Sequence, residues 1–498
     1  MRGDRFLYVL VFVVGMGSLG AEIAVARLMA PFFGASTIVW ANTIGVVLVA
    51  LSIGYWFGGR LADRHPHLRG LCLLVMAAAV LLALVPFAAD PFFEGAVDAL
   101  DEISAGAFVG SLLAVLVLIA VPVVLMGACA PWAVRLATPD VEHAGRTTGR
   151  LYAVSTAGSL AGTMLSSLVL IPFLGTQRTF IAFALALGLV AAAGLGWRYL
   201  AAPVALAGAI AIPVGTVKAT TEAGDRVIYE DETETQYLRV IEERDGDRRL
   251  ELNEGIAQHS FYSPRSYITH GYWDGLLVLP FLNRSTPPER VAVLGNAAGT
   301  AARGYGHYFP QTKIDGVEID PELEQVGRRF FDMTNPNLTV HNEDARPWLR
   351  ASDGDYDVII VDTYRQPYLP FYMATREFFE LARDRLAPGG MVIVNVGHIE
   401  GSDDLEKVVS ATMAEVFPAL LRDPLEDTST LLVGSDTPLS AEGLRRVRNG
   451  LPTELQQRAD LELARLGPPL EGGDVYTDDE APVEWLIDRS IIGYAAGD

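Results

Sequence analysis

Three acids stand where short apolar runs end, Glu318, Asp344 and Asp362, and the small-residue turn Gly295-Asn296-Ala297-Ala298-Gly299-Thr300 precedes them. Carboxylates in such places can accept hydrogen bonds from hydroxyls and amines or take a proton from a reacting group. The runs 291–294, 313–317, 338–341 and 358–361 read as buried parallel strands separated by helical segments, with 391–394 as a fifth. In open α/β sheets ligands bind beyond the carboxyl ends of the strands, so the acids mark a cleft. Gly295 and Gly299 let a ligand approach the backbone where a helix opens at its positive end. Glu318 follows Gly295 by 23 residues, about where this fold keeps a carboxylate for the vicinal hydroxyls of a ribose. Asp344, with Ala345 beside it, can accept from an adenine amino group. Asp362, followed by Thr363 and Tyr364, lies at the mouth where a reacting group would sit. Helix capping competes for the same residue types, and Asp320 before Pro321 reads as an N-cap.

The 498-residue chain is too long for one ordinary domain, and composition divides it. Residues 1–217 carry 11 Arg, no Lys and 10 acids, and residues 218–498 carry 27 basic residues and 50 acids. The net charge of −22 therefore belongs to the second part, which repels nucleic acid and suits a cationic partner. Cys72 and Cys129 lie in apolar segments and imply neither a disulfide framework nor a metal site. No HExxH, EF-hand or Walker pattern occurs, so no metal is expected.

Apolar stretches long enough to cross a bilayer lie near 6–30, 37–57, 69–89, 106–128, 151–174 and 178–196, with a weaker one at 200–217. The first is too long for a secretory signal and lacks its cleavage site. Arg60, Arg64 and Arg69 fall in one expected loop and Arg135, Arg146 and Arg150 in another, while Asp90, Glu94, Asp98, Asp101 and Glu102 crowd the loop between. The positive-inside rule places the arginine loops in the cytoplasm. Six crossings then leave the acidic part in the cytoplasm, with 200–217 at the interface or re-entering. Glu22 and Arg27 lie inside or at the edge of the first span, as a functional pair or a structural ion pair. The expected organisation is a multi-span α-helical membrane domain over 1–217, a β-rich substrate region over 218–285, and a Rossmann-like, class I methyltransferase-type domain over 286–498.

The second part resembles the spermidine synthase family, the polyamine aminopropyltransferases, in the form fused behind a multi-span membrane domain. The resemblance is carried by Gln236-Tyr237-Leu238-Arg239-Val240 in an N-terminal hairpin and by Leu252-Asn253-Glu254-Gly255-Ile256-Ala257-Gln258 after its turn. Val317-Glu318-Ile319-Asp320, Glu343-Asp344-Ala345, the run 356–362, Thr375-Arg376-Glu377-Phe378-Phe379 and Leu386-Ala387-Pro388-Gly389-Gly390 continue it, over roughly residues 230–435. It implies that Gln236 and Gln258 line the pocket, that Glu318 holds the ribose and Asp344 the adenine of decarboxylated S-adenosylmethionine, and that Asp362 acts on an acceptor amine. Tyr364 is expected as an orienting hydroxyl. A homodimer is one assembly the resemblance allows, and the bilayer and an amine or polyamine are the expected partners.

Departures from the family pattern are equally plain. Asn296-Ala297-Ala298 stands where the family's glycine loop carries an aspartate, and Arg365 stands where a second Asp would follow Asp362. The family's Tyr-His-Glu/Asp triplet is aligned with Tyr267-Ile268-Thr269. Asp478 and Asp479 are candidates to replace the missing acids, and an acceptor with an anionic group or an atypical amine fits their loss. Two other functions stay open: a methyltransferase using intact S-adenosylmethionine, and a non-enzymatic polyamine- or nucleoside-binding transporter or sensor. The last is motivated by Gly58-Gly59-Arg60-Leu61-Ala62-Asp63-Arg64, which loosely resembles a cytoplasmic loop of major-facilitator transporters.

Overall fold

The computed structural model describes residues 2–33, 37–101, 106–138, 140, 142–210, 224–233, 235–253, 257–364, 369–398, 401–426 and 428–487. Glu102, the stretch 211–217, Glu254, Gly255, Ile256 and Arg365 lie outside the described residues. The chain divides into two compact units, Met1–Ala219 and Thr220–Asp498.

The first unit is helical: α1 Arg2–Phe33, α2 Thr37–Arg64, α3 Leu68–Asp101, α4 Gly106–Leu118, α5 Ala120–Ala137, α6 Ala144–Leu165, α7 Ile171–Leu174, α8 Thr176–Leu195 and α9 Ala201–Ile210. Among the described residues six segments are long and apolar enough to cross a membrane: Arg5–Met29, Val39–Arg64, Leu68–Ala89, Ala120–Ala137, Ala144–Leu170 and Thr176–Leu195. Small residues set their packing. Gly158 and Gly162 of α6 press on the Phe12 and Met16 carbonyls of α1, where a side chain would collide, and the Ser166 hydroxyl donates to the Gly20 carbonyl at 3.1 Å.

Three sequence expectations change here. The stretch 106–128 is two helices, because Pro122 has no N–H for the Leu118 carbonyl and the helix is interrupted between α4 and α5. The segment Gly58–Arg64 is the last part of α2, not a loop, and Asp63 there faces Arg135 at 3.2 Å across exposed surface. Likewise the acids from Asp90 to Asp101 continue α3. Charge marks where lipid would end, not where a helix must. Of the weaker segment 200–217, α9 covers Ala201–Ile210, and the stretch 211–217 lies outside the described residues. Glu22 and Arg27 are both half-buried on α1.

The second unit opens with a four-stranded antiparallel sheet, β1 Arg226–Glu232, β2 Tyr237–Glu242, β3 Arg248–Leu252 and β4 Gln258–Tyr262, in the order β1-β2-β3-β4. The expected hairpin is thus part of a longer meander. Then follow α10 Trp273–Val278, β5 Arg290–Leu294, α11 Thr300–Tyr308, β6 Lys313–Val317, α12 Pro321–Phe330, β7 Leu338–His341, α13 Ala345–Ala351, β8 Tyr356–Val361, α14 Arg376–Asp384, β9 Leu386–Gly397, α15 Asp404–Ala414, β10 Ala419–Glu426, β11 Ser429–Ser435, α16 Ala441–Arg448 and α17 Thr453–Arg465. The large sheet runs β10-β11-β9-β8-β5-β6-β7. Counting β5 as its first strand gives the order 3-2-1-4-5-7-6 from the β7 edge, with β5 to β9 parallel and β11 antiparallel to both neighbours. This is the expected Rossmann-like, methyltransferase-type sheet.

Its order reverses at β5 and β8, and the crevice of such a fold opens above that reversal. Val358, Ile359, Ile360 and Val361 of β8 are fully buried, each side chain contributing roughly 1.5–3 kcal/mol. That anchors the residue that follows them, Asp362. Helix α12 starts as the sequence predicts: the Asp320 carboxylate accepts from Glu322 N at 3.1 Å, Pro321 occupies the first turn, and Arg328 and Arg329 the last.

Candidate active site

The turn after β5 joins the two sides of the crevice. Gly295 has φ +87°, and a side chain there would collide with the carbonyl oxygen of Asp362, whose N–H donates to Leu294 O at 2.8 Å. Gly299, at φ +86°, precedes α11 and packs on Met333. The turn's amides are engaged internally. Gly295 and Asn296 N–H donate to Val317 O at 2.9 and 3.0 Å, Ala297 N–H to Glu318 Oε2 at 2.9 Å, and Gly299 N–H to Asn296 O at 2.8 Å. Ala298 N–H donates to Ser260 Oγ of β4 at 2.9 Å. These five amides leave no cradle for a phosphate, which favours an uncharged or cationic ligand over a dinucleotide. Asn296 is buried against Met333 and Gly316.

Glu318 is buried at the end of β6, and its two oxygens accept from Ala297 N and, at 3.1 Å, from Asp320 N. Burial pushes its carboxyl up to about 7 against the pull of those amides. Each oxygen keeps a lone pair, enough for a pair of hydroxyls. Ile319, half-exposed beside it, offers an apolar surface. Gln236 is buried nearby, and its amide donates to Asp320 Oδ2 at 3.3 Å, while Thr233 Oγ1 donates to the same oxygen at 2.6 Å. Gln258 is exposed at the start of β4; a register shift there breaks the strand alternation, so it shares a face with its partner Glu251 and not with Ser260, which pairs with Leu250 and turns to the glycine turn.

Asp344 caps α13, Oδ1 accepting from Arg346 N at 3.0 Å, and its Oδ2 accepts from the Tyr372 hydroxyl at 2.9 Å. Capping and ligand reading are compatible, since each oxygen retains a lone pair. Ala345 is buried behind it. Asp478 pairs in bidentate fashion with Arg346 at 2.8 and 2.6 Å.

Asp362 is held by residues that the sequence reading missed. The Tyr272 hydroxyl donates to Oδ2 at 2.7 Å and the Asn395 amide to Oδ1 at 2.9 Å. Ser429 Oγ donates to Asn395 Oδ1 at 2.9 Å, which fixes the orientation of that amide. Burial pushes Asp362 up to about 6, and the two donors pull it back. Burial and the neighbouring charge hold the Tyr272 hydroxyl well above the ordinary tyrosine range, so it stays a donor. Tyr364, expected to orient Asp362, instead donates to Asn395 O at 3.0 Å and accepts from Gly397 N at 2.6 Å. Tyr267 stacks on His307 with 3.7 Å between ring centroids. Tyr272-Trp273-Asp274, at the start of α10, has a Tyr-x-acid pattern and sets its tyrosine on Asp362. Its signal was the Tyr-x-acid spacing at the start of α10, and that of Asn395 was a lone amide in an apolar strand. Among the described residues no group of three His, Cys, Asp or Glu could hold a metal ion.

Residues 272–423 match the model of the spermine/spermidine synthase domain. A probable polyamine aminopropyl transferase of Bifidobacterium longum is 30% identical over 279 residues, 52% of this chain and 61% of that protein. A polyamine aminopropyltransferase of Corynebacterium efficiens is 29% identical over 449 residues, 82% of this chain and 80% of its relative. A solved structure, of a probable spermidine synthase from Corynebacterium glutamicum, aligns with a TM-score of 0.40 and 22% identity over 52% of this chain and 100% of that one. The domain match starts at Tyr272, the residue whose hydroxyl meets Asp362, and the match to the Corynebacterium efficiens relative, at 82% of this chain, extends into the helical unit. Through this domain, and over most of its length, the chain is similar to polyamine aminopropyltransferases, which are transferases.

Proposed function

We propose that the chain is a membrane-anchored aminopropyltransferase that moves an aminopropyl group from decarboxylated S-adenosylmethionine to an amine. The observation that carries this is Asp362, a desolvated carboxylate at the crevice with one donor on each oxygen. The acceptor nitrogen attacks the carbon next to the sulfonium, the C–S bond breaks, and methylthioadenosine leaves. An alkylammonium titrates near pH 10, so its proton must go to a base, and Asp362 takes it. A carboxyl that titrates at about 6 is ionised at neutral pH yet a better acceptor than a solvated aspartate. Glu318 takes the ribose hydroxyls, Asp344 the adenine amine, with Ile319 against the base and Gln236 and Gln258 along the pocket. The sulfonium is already activated, so holding the reactants in line supplies much of the acceleration. The helical unit anchors the enzyme in the cell membrane with the C-terminal unit in the cytoplasm.

Asn296-Ala297-Ala298 lacks the acid that would meet the donor's amine end, and this favours methyl transfer from intact S-adenosylmethionine as the second reading. The transporter reading loses part of its motive, since Gly58–Arg64 ends a helix. The purified full chain is incubated with each sulfonium donor and a panel of linear diamines and triamines, with adenosyl products read by mass spectrometry. Methylthioadenosine supports aminopropyl transfer, S-adenosylhomocysteine would install the methyltransferase, and neither product would leave a binding protein. Asp362→Asn keeps the shape without the basic oxygen and is expected to lower methylthioadenosine formation by roughly 10²–10⁴ with donor affinity little changed.

A further inference from the structure

The C-terminal segment is built into the adenine side of the crevice. Tyr476, Val483 and Ile487 are buried in one core with Leu349, Phe378 and Val409. Arg376 N–H donates to Tyr476 O at 2.9 Å and Tyr476 N–H to Thr412 Oγ1 at 3.0 Å. Two residues on, Asp478 accepts Arg346 Nη1 and Nη2 at 2.8 and 2.6 Å and Thr375 Oγ1 at 2.7 Å, while its N–H donates to Glu377 at 3.0 Å. Arg346 is 8% exposed, and its Nη1 also donates to the Tyr372 carbonyl at 2.9 Å. Tyr372 in turn donates its hydroxyl to Asp344. One buried guanidinium therefore ties α13, the segment before α14 and the chain's C-terminal end together. A buried guanidinium stripped of its counter-ion seeks another carboxylate. The side chain two residues away is Asp344, already bonded to Arg346 N.

We propose that Asp478 is a positioning residue for nucleobase recognition: it holds Arg346 in a bidentate pair, so that the Asp344 carboxylate stays in register with Tyr372 and free to accept from a 6-amino purine. This rests on the adenosyl-donor reading above. The acid that the sequence offered as a substitute base acts instead through Arg346, from 132 residues away.

The test is calorimetry on the full-length protein with methylthioadenosine and methylthioinosine, which differ in the 6-amino group that Asp344 reads. Wild type is expected to prefer methylthioadenosine. Asp478→Asn should shrink that preference by about tenfold or more while methylthioinosine affinity moves less than about twofold. Arg346→Lys, which keeps the charge and loses the fork, should behave alike, and Asp478→Glu should restore most of the preference. A folded Asp478→Asn protein that loses both nucleosides equally, or keeps the preference, overturns the proposal, and Arg346→Lys decides if that variant does not fold. A wild type that binds neither nucleoside would sink the donor reading itself, and this role with it.

Discussion

Replacing Tyr272 by phenylalanine removes one hydrogen-bond donor from Asp362, together with the hydroxyl's contact with the Asn395 amide. The hydroxyl sits 2.7 Å from Oδ2 and stays protonated through the working range, so it stabilises only the ionised carboxylate. A hydrogen bond to a charged group is worth about 1.5–3 kcal/mol, and 1.36 kcal/mol corresponds to one pKa unit. Its loss should therefore raise Asp362 from about 6 by roughly 1–2 units. The base works unprotonated, so the acidic limb of kcat/KM should move from near 6 to about 7–8. At pH 7 the ionised fraction falls from about 0.9 to between about 0.1 and 0.5, and at pH 9 the variant recovers.

The assay is the pH profile of methylthioadenosine release, with Tyr364→Phe as the contrast. That change also deletes an aromatic hydroxyl in the crevice, but one bonded to Asn395 O and Gly397 N, and it should leave the limb in place. A Tyr272→Phe limb within about 0.3 unit of wild type would refute the assignment of Asp362 as base. So would a rate reduced by the same factor at every pH, which would make Tyr272 a binding group.

Two further outcomes are expected. Glu318→Ala should weaken methylthioadenosine binding by about tenfold or more, since each hydroxyl bond to the carboxylate is worth about 1.5–3 kcal/mol. Glu318 titrates at about 7 and the hydroxyls favour its ionised form, so wild-type binding near pH 7 should release protons, a release that calorimetry in two buffers should find missing in the variant. An alkaline phosphatase fused after Asp498 should stay inactive, as six crossings with α9 at the interface require. Activity outside the cell would mean a seventh crossing and would put the binding-protein reading first.

What the sequence made legible follows from how locally each feature is determined. Strands β5 to β8 could be read because a sheet covered on both faces needs unbroken apolar runs, and the acids that end them follow from the same pattern. Asp320 could be read as a cap because its partner is two residues away. Tyr272 and Asn395 reach Asp362 from 90 and 33 residues away, and no periodicity carries that information. Tyr267 and Tyr272, five residues apart, look alike in sequence until α10 begins directly after the second. Asp478 read only as a candidate for the missing acids because its partner Arg346 is likewise remote.

These two kinds of information divide the chemistry of Asp362 between them. Burial of 358–361, visible as a pattern, raises the carboxyl's affinity for a proton. The donors on its oxygens, set by tertiary contact alone, decide how far that rise goes, and so at which pH the group can serve as a base. A relative that kept the strand pattern and lost Tyr272 would look equivalent in sequence composition and should work only under more alkaline conditions. On the proposed reading the Asn395 amide at 2.9 Å and the Tyr272 hydroxyl at 2.7 Å together set the pH at which Asp362 can act.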